Sequence, residues 1–143
     1  SSMITQGQTT LFKQNCLSGL ENFTASSPYV YKIALYTGNA TLNNTTTSYT
    51  SANEAVGGGY TAGGQVLTVI PVSSDTTANE AFVSFANVVW NPASFTCRGA
   101  LIYNSTTGAA VAVLDFGSDK TATSTFTVTF PTDNAANAII RIA

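Results

Sequence analysis

The residues whose types and spacing could do chemistry are concentrated in the run GGGYTAGG, residues 57–64. A phosphate-binding loop needs a lysine and a serine or threonine directly after its last glycine, followed by a helix, because the backbone N–H groups and the lysine hold the phosphates. Here Gln65 follows, and the next residues have the pattern of a strand. The dinucleotide-binding pattern is matched only loosely and lacks its strand-before, helix-after context. We therefore interpret the run as an architectural turn.

The chain offers little else that could catalyse a reaction. It has no histidine, and its seven carboxylates are scattered. General acid–base catalysis needs a group that titrates near neutrality, and a two-carboxylate glycosidase needs a cleft that a chain this short rarely builds alone. The triplet Asp115-Phe116-Gly117 matches a kinase magnesium motif without the other parts of a kinase. We expect no enzyme activity, no cofactor and no metal.

Composition narrows the class of protein further. Only 8% of the 143 residues are charged, against about 25% in typical domains. The five basic residues form no stripe, which disfavours nucleic-acid binding, and no apolar run reaches the roughly 18 residues of a membrane span. The length favours a single domain over residues 1–143. Because an isolated soluble domain usually carries more charge, we expect neighbouring chains to cover part of the surface.

One helix is predicted, at the N-terminal end over residues 5–24. Phe12, Cys16, Leu20 and Phe23 recur at helical spacing and would form one apolar stripe. Thr5 with Gln8 could form a capping box, or Thr9 could cap a later start, and the sequence leaves both open. Ser1 and Ser2 resemble a cloning remnant and are left out of the fold argument.

The rest of the chain has the pattern of strands. Apolar and polar residues alternate in short segments that are separated by turns rich in Gly, Asn, Ser and Thr, as in β-sandwiches. We predict an all-β fold, an antiparallel β-sandwich of about seven strands with one N-terminal α-helix. The segments are YVYKIALYT, QVLTVIPVS, EAFVSFANVVW, FTCRGALIYN, AAVAVLDF, STFTVTF and NAIIRIA.

Three further residues give specific expectations. Cys16 and Cys97 have neither a CxxC spacing nor a histidine beside them, so we expect two unbridged, buried thiols. Arg98 lies in a mostly apolar strand and should form a structural ion pair or contact carbonyl groups. The candidate carboxylates for that pair are Glu54, Asp115 and Asp119, and its loss should cost about 1–3 kcal/mol.

Three ordered blocks of sequence resemble small bacteriophage virion structural proteins of the collar, tail-fibre or head-decoration type. The blocks are YKIALYTGNATLNNTTTSYTSANEAVGGGYTAGG, CRGALIYNSTTGAAVAVLDFGSDKTATSTFTVTFP and NAIIRIA. The resemblance covers nearly the whole chain from Thr5 to Ala143. One departure is Cys97, where such blocks often carry a small residue.

The resemblance implies a non-enzymatic virion component that is assembled in the bacterial cytoplasm and then displayed on the particle. Its partners would be copies of itself or other virion proteins. The alternative function is a module that binds a glycan or receptor on the host surface, with Tyr36, Tyr49, Tyr60 or Trp90 stacking on sugar rings.

We also expect a homo-oligomer, and a trimer by analogy with phage fibres and spikes. Its contact should lie in or beside residues 41–64, because this long polar segment is costly to order without a partner. Close-approach glycines beside an aromatic side chain suit such a contact. The predicted interface residues are Gly57, Gly58, Gly59, Tyr60, Gly63 and Gly64.

Overall fold

The computed structural model describes residues 3–143; Ser1 and Ser2, the proposed cloning remnant, lie outside the described residues. About 45% of the chain is in strands and 6% in a single helix. The elements are β1 (Met3–Ile4), β2 (Gly7–Gln8), α1 (Thr10–Leu17), β3 (Tyr31–Tyr36), β4 (Thr41–Leu42), β5 (Gln65–Val66), β6 (Val69–Asp75), β7 (Glu80–Phe85), β8 (Val88–Trp90), β9 (Phe95–Asn104), β10 (Ala110–Ala122), β11 (Phe126–Val128) and β12 (Ile140–Ile142).

The strands form one large sheet and three smaller ones. The large sheet has the order β2-β10-β9-β3-β5 and is antiparallel throughout. Strands β12-β7-β6 form a three-stranded antiparallel sheet, and β11 pairs with β8. A two-residue parallel pair, β1 with β4, is the exception to the antiparallel pattern. The predicted all-β, sandwich-like fold with one helix is confirmed.

Alternation along β3 shows how the large sheet comes to be buried on both faces. Ile33 and Leu35 point into the main core, which the smaller sheets cover with residues such as Phe85 and Trp90. Ala34 and Tyr36 point the other way, into a second core beneath the N-terminal segment and β4. Because both faces of the central strands are covered, these strands are apolar at nearly every position.

The helix is shorter than predicted, so the expected range of 5–24 is wrong. Thr9 is the N-cap, and its hydroxyl accepts a hydrogen bond from the backbone N–H of Phe12 at 3.1 Å. This confirms the later of the two predicted starts. The residues before Thr9 pair as strands with β4 and β10, because sheet edges were available to them, and Leu20 lies beyond the helix with half of its surface exposed.

The strand count is also higher than about seven. QVLTVIPVS holds two strands, β5 and β6, and EAFVSFANVVW holds β7 and β8. Each apolar run breaks where the chain leaves one sheet for another, and the local pattern does not mark such a break. Within residues 3–143, no helix combines the length and the apolar character needed to cross a bilayer.

Candidate functional site

The glycine-rich run packs against its own chain. At Gly64, φ is +77°, and an added Cβ would overlap the backbone oxygen of Ile33 in β3. At Gly59, φ is +84°, and an added Cβ would overlap the backbone oxygen of Pro92. Both positions therefore need glycine for two reasons, the left-handed backbone and the close approach of a second backbone. The run is an architectural turn, as predicted, and its close contacts are intramolecular.

A buried glutamate holds this turn in place. Glu54 is 6% exposed, and its carboxylate accepts hydrogen bonds from the Tyr49 hydroxyl at 2.6 Å, from the Tyr60 hydroxyl and from the Gly63 N–H at 2.8 Å. The Tyr103 hydroxyl completes the cluster by donating to the Gly63 carbonyl at 2.6 Å. Both carboxylate oxygens are thus occupied by donors from the same chain, Tyr49 on one segment and Tyr60 and Gly63 on the glycine-rich turn.

Local structure places Glu54 at the edge of β3. It forms an isolated β-bridge with Tyr36, and the next residue, Ala55, donates its N–H to the Leu35 carbonyl at 2.8 Å. Backbone pairing with β3 therefore positions the glutamate independently of its side-chain contacts. The hydrogen bonds that the Glu54 carboxylate then accepts are charge-assisted, and such bonds are among the strongest that a protein makes.

Tyr60 points into the core of its own chain. Its hydroxyl accepts a hydrogen bond from the Leu35 N–H at 2.9 Å while it donates to Glu54. Its ring stacks against Trp90 with centroids 6.3 Å apart and meets Phe95 edge-on at 5.6 Å. Tyr60, which was predicted to be the aromatic anchor of an intermolecular contact, therefore packs within its own chain. Whether the outer side of the turn contacts another chain stays a prediction.

Burial, followed by the hydrogen bond to the Glu54 carboxylate, raises the pKa of Tyr60 well above its ordinary value. The same two causes raise the pKa of Tyr49. A tyrosine whose pKa is raised stays a protonated donor at all physiological pH values. The cluster is therefore suited to holding a loop, because its carboxylate already has donors on both oxygens and its tyrosines resist ionisation.

A second, smaller cluster ties the segment after α1 to the end of the sheet. The Oε1 atom of Glu21 accepts hydrogen bonds from the Tyr31 hydroxyl at 3.0 Å and from the Asn104 amide at 2.8 Å. Burial raises the pKa of Glu21, and the hydrogen bonds that it accepts oppose this shift. Here too, a carboxylate serves to anchor an irregular segment.

The tyrosines give a pH-dependent prediction. Five of them have raised pKa values, with burial as the largest cause: Tyr31, Tyr36, Tyr49, Tyr60 and Tyr103. An unfolded tyrosine ionises near pH 10, so their contribution to stability is fully present below pH 10 and is lost as the pH rises above it. For a fully buried tyrosine the loss is about 1.4 kcal/mol per pH unit.

We expect these five to ionise together with unfolding in an alkaline titration followed by near-ultraviolet phenolate absorbance and circular dichroism. The control is the chain in denaturant, in which tyrosines should titrate near pH 10. Independent ionisation of the five in a chain that stays folded would contradict the prediction.

Arg98 forms a weaker ion pair than expected. Its Nε atom lies 4.0 Å from Asp115 Oδ1, and the two side chains are 27% and 31% exposed. Among the described residues, that Nε has no hydrogen-bond partner. Of the three predicted carboxylates, Asp115 is the one within ion-pair distance, whereas Glu54 binds tyrosines. The Nε atom is itself buried, so the pair is a Coulomb contact between two partly exposed side chains rather than a hydrogen bond.

We therefore expect Arg98→Ala to lower the free energy of unfolding by about 0.5–1 kcal/mol, the range of exposed ion pairs, rather than by 1–3 kcal/mol. Urea unfolding measures the change, with Arg98→Lys as the control that keeps the charge. A loss above about 2 kcal/mol, the range for a buried charge-assisted hydrogen bond, would show that the guanidinium has a buried partner.

Both cysteines are free thiols, as predicted, but Cys16 is only half-buried, so the expectation of two buried thiols holds for Cys97 alone. Cys97 is fully buried, and burial followed by the nearby Asp119 charge raises its pKa to about 12. We expect Cys97 to resist alkylation in the folded protein, and both thiols to react without reductant once the chain is unfolded. Mass spectrometry counts the labels. A pair that reacts only after reduction would contradict this expectation.

The aromatic residues considered for sugar stacking lie mostly inside the fold. Tyr36 and Trp90 are buried, at 0% and 2% exposure, and the ring of Tyr49 stacks against Tyr103 at 4.8 Å. Tyr36 and Trp90 therefore offer no free face on which a sugar ring could stack.

The fold and the site together define a class, an all-β sandwich-like protein with one short helix and a glycine-rich turn anchored on a buried glutamate. Comparison of the chain with protein-family models, with curated proteins and with solved structures finds no match in any of the three.

Sequence reasoning named every glycine of the turn but missed the role of Glu54, which it considered only as a partner for Arg98. The available signal was weak, since a single glutamate in a polar stretch carries no motif. Its two tyrosine partners, Tyr49 and Tyr60, lie five and six residues away in the chain, and Tyr103, which donates to the Gly63 carbonyl, lies on β9.

Proposed function

We propose that this chain is a non-enzymatic structural subunit of a bacteriophage virion that packs with itself or with other virion proteins. The observation that carries the proposal is the role of the polar cluster around Glu54. Glu54 and its tyrosine partners hold a surface turn in place, and both carboxylate oxygens accept hydrogen bonds from the same chain. Such an arrangement supports a rigid building part rather than a reactive site.

The surface supports the same proposal. Only 8% of residues are charged, and several aliphatic side chains stand in solvent, including Leu17 at 93% and Val56 at 87% exposure. Such side chains are typical of surfaces that become covered in an assembly. The resemblance to small bacteriophage virion structural proteins, which covers Thr5 to Ala143, indicates the kind of assembly. That assembly is a phage particle, in which the chain serves in a collar, a tail fibre or a capsid decoration.

In this proposal the protein is a homo-oligomer, with a trimer as the first expectation. The segment 41–64 still lies in or beside the contact, but through its outward residues. Val56 is the foremost of these, since Gly59, Tyr60 and Gly64 are committed to their own chain.

The test is the composition of purified particles. Gradient-purified virions from a host that carries this coding sequence should contain the chain at a fixed, multiple copy number by quantitative mass spectrometry. A host protein of similar abundance in the lysate serves as the control for carry-over. A chain that stays wholly in the particle-free fraction would overturn the proposal.

A further inference from the structure

A groove of about 720 Å³ lies between α1, β2 and β12. Two of the aliphatic side chains that line it are largely in solvent, Leu17 at 93% and Ile142 at 60% exposure. The groove is also where two sheets end, because β2 is the last strand of the large sheet and β12 is the last strand of the three-stranded sheet. Strand edges carry unpaired backbone groups that can accept another strand.

Hydrogen-bond alternation shows which backbone groups of β12 are open. In an antiparallel pair, the N–H and C=O groups of successive residues point alternately toward and away from the neighbour. The Gln8 side-chain amide donates to the Arg141 carbonyl at 2.8 Å. That carbonyl therefore points away from β7, and the Arg141 N–H points the same way. A glutamine side chain thus holds a position that a strand could take.

The opposite edge of the same sheet is open at β6. Because Arg141 faces away from its β7 partner Phe82, the backbone groups of Phe82 face β6 and pair with Ser73. The hydrogen bond from the Ala86 N–H to the Thr68 carbonyl, at 3.0 Å, independently shows the same alternation, because Ala86 and Phe82 are four residues apart and face the same side. Ser74 therefore directs its N–H and C=O outward, on a strand that is exposed from Pro71 to Asp75.

The charges of the two edges are complementary. Lys13 and Arg141 line the groove, and within residues 3–143 no carboxylate side chain does. The turn that joins β6 to β7 is flanked by Asp75 and Glu80, and residues 75–80 carry no cation. Opposite charges on facing surfaces steer association and fix its register. The exposed Val72, at 51%, supplies an aliphatic side chain on the acidic edge.

We propose that β6 of a second copy adds as a strand to the open edge of β12, inside this groove, and displaces the Gln8 amide from the Arg141 carbonyl. The inference rests on the proposed function as a self-packing subunit and adds a contact that is separate from the one proposed for residues 41–64. The contact joins two different edges, so it is head-to-tail and generates a closed ring or a filament. The acidic turn of one copy then lies against Lys13 and Arg141 of the next.

The test is self-association, measured by sedimentation velocity over a range of protein concentrations. Ser74→Pro removes an N–H that faces away from β7, so it should leave the β6–β7 pair intact and lower the sedimentation coefficient of the assembly. Ser74→Thr keeps the N–H and is the matched control. Circular dichroism and a thermal melt check that the proline variant folds.

Charge variants test the same contact without a proline. Lys13→Glu should weaken association several-fold, while Lys120→Glu, with the same charge change outside the groove, should not. Asp75→Asn should weaken it too, because it removes the charge and keeps the oxygen that accepts from Thr77 and Ala78.

Two outcomes would overturn the inference and are distinguishable from a failure of the proposed function. An oligomeric wild type that Ser74→Pro, Lys13→Glu and Asp75→Asn all leave unchanged would retain self-packing but exclude this contact. A monomeric wild type would exclude the contact. If the chain were nevertheless present in purified particles, the proposed function as a virion subunit would still be supported.

Discussion

Gly64→Ala should lower the free energy of unfolding by about 4 kcal/mol or more, the range reserved for severe core or backbone disruption. Its added Cβ would overlap the backbone oxygen of Ile33 and crowd Ala34, in a strand fixed by β9 on its far side. Relief would require either the turn to lift off the sheet or β3 to move. Since Gly64 closes the turn that Glu54 anchors, we expect loosening of the whole segment from 54 to 64. Urea unfolding and the soluble yield measure the effect.

Gly108→Ala is the matched control for this variant. Its φ is +86°, close to that of Gly64, yet an added Cβ there meets nothing within 4 Å. It should therefore show only the cost of a left-handed alanine, about 1–2 kcal/mol. The difference between the two variants isolates the close approach of two backbones. Equal losses would mean that the turn at Gly64 yields freely.

Glu54→Ala should cost about 3–5 kcal/mol, as expected when one partner of a buried polar cluster is removed. The substitution leaves the Tyr49 and Tyr60 hydroxyls and the Gly63 N–H without their acceptor. Each donor left without a partner in a buried site costs about 1–3 kcal/mol, with partial relief where water can enter. For a domain of this size we expect a fall in melting temperature of roughly 10 °C or more.

Glu54→Gln is the control that keeps the volume and one acceptor oxygen. Tyr49 can rotate its hydroxyl to accept from the new amide, whereas Tyr60 already accepts from the Leu35 N–H. We expect the glutamine variant to lose about half as much stability as the alanine variant. A melting temperature for Glu54→Ala that equals that of the wild type would rule out the cluster as an anchor.

The predicted intermolecular contact and the observed turn show how the same residues can satisfy two interpretations. Glycines beside a tyrosine suit an interface core, but they suit an intrachain corner equally well, because both need close backbone approach and an aromatic side chain. The sequence does not show which backbone segment approaches Gly59 or Gly64. The fold supplies Pro92 and Ile33, which are remote in sequence from Gly59 and Gly64 respectively.

Sequence alone determined the features that depend on neighbours along the chain. Alternation in YKIALY predicted a strand, Thr9 was one of two predicted caps for the helix, and the lack of a lysine after Gly64 excluded a phosphate loop. These are local because a strand period, a cap and a loop motif are each complete within a few residues.

Only the tertiary structure decided the features that depend on contacts between distant segments. It shortened the helix by giving the residues before Thr9 two sheet edges to join. It gave Glu54 to tyrosines rather than to Arg98, because backbone pairing with β3 carries that glutamate to the turn at Gly63. It also left β6 and β12 as the open edges of one sheet. Strand order follows from which apolar faces can be buried together, and the sequence of a single strand does not name its neighbours.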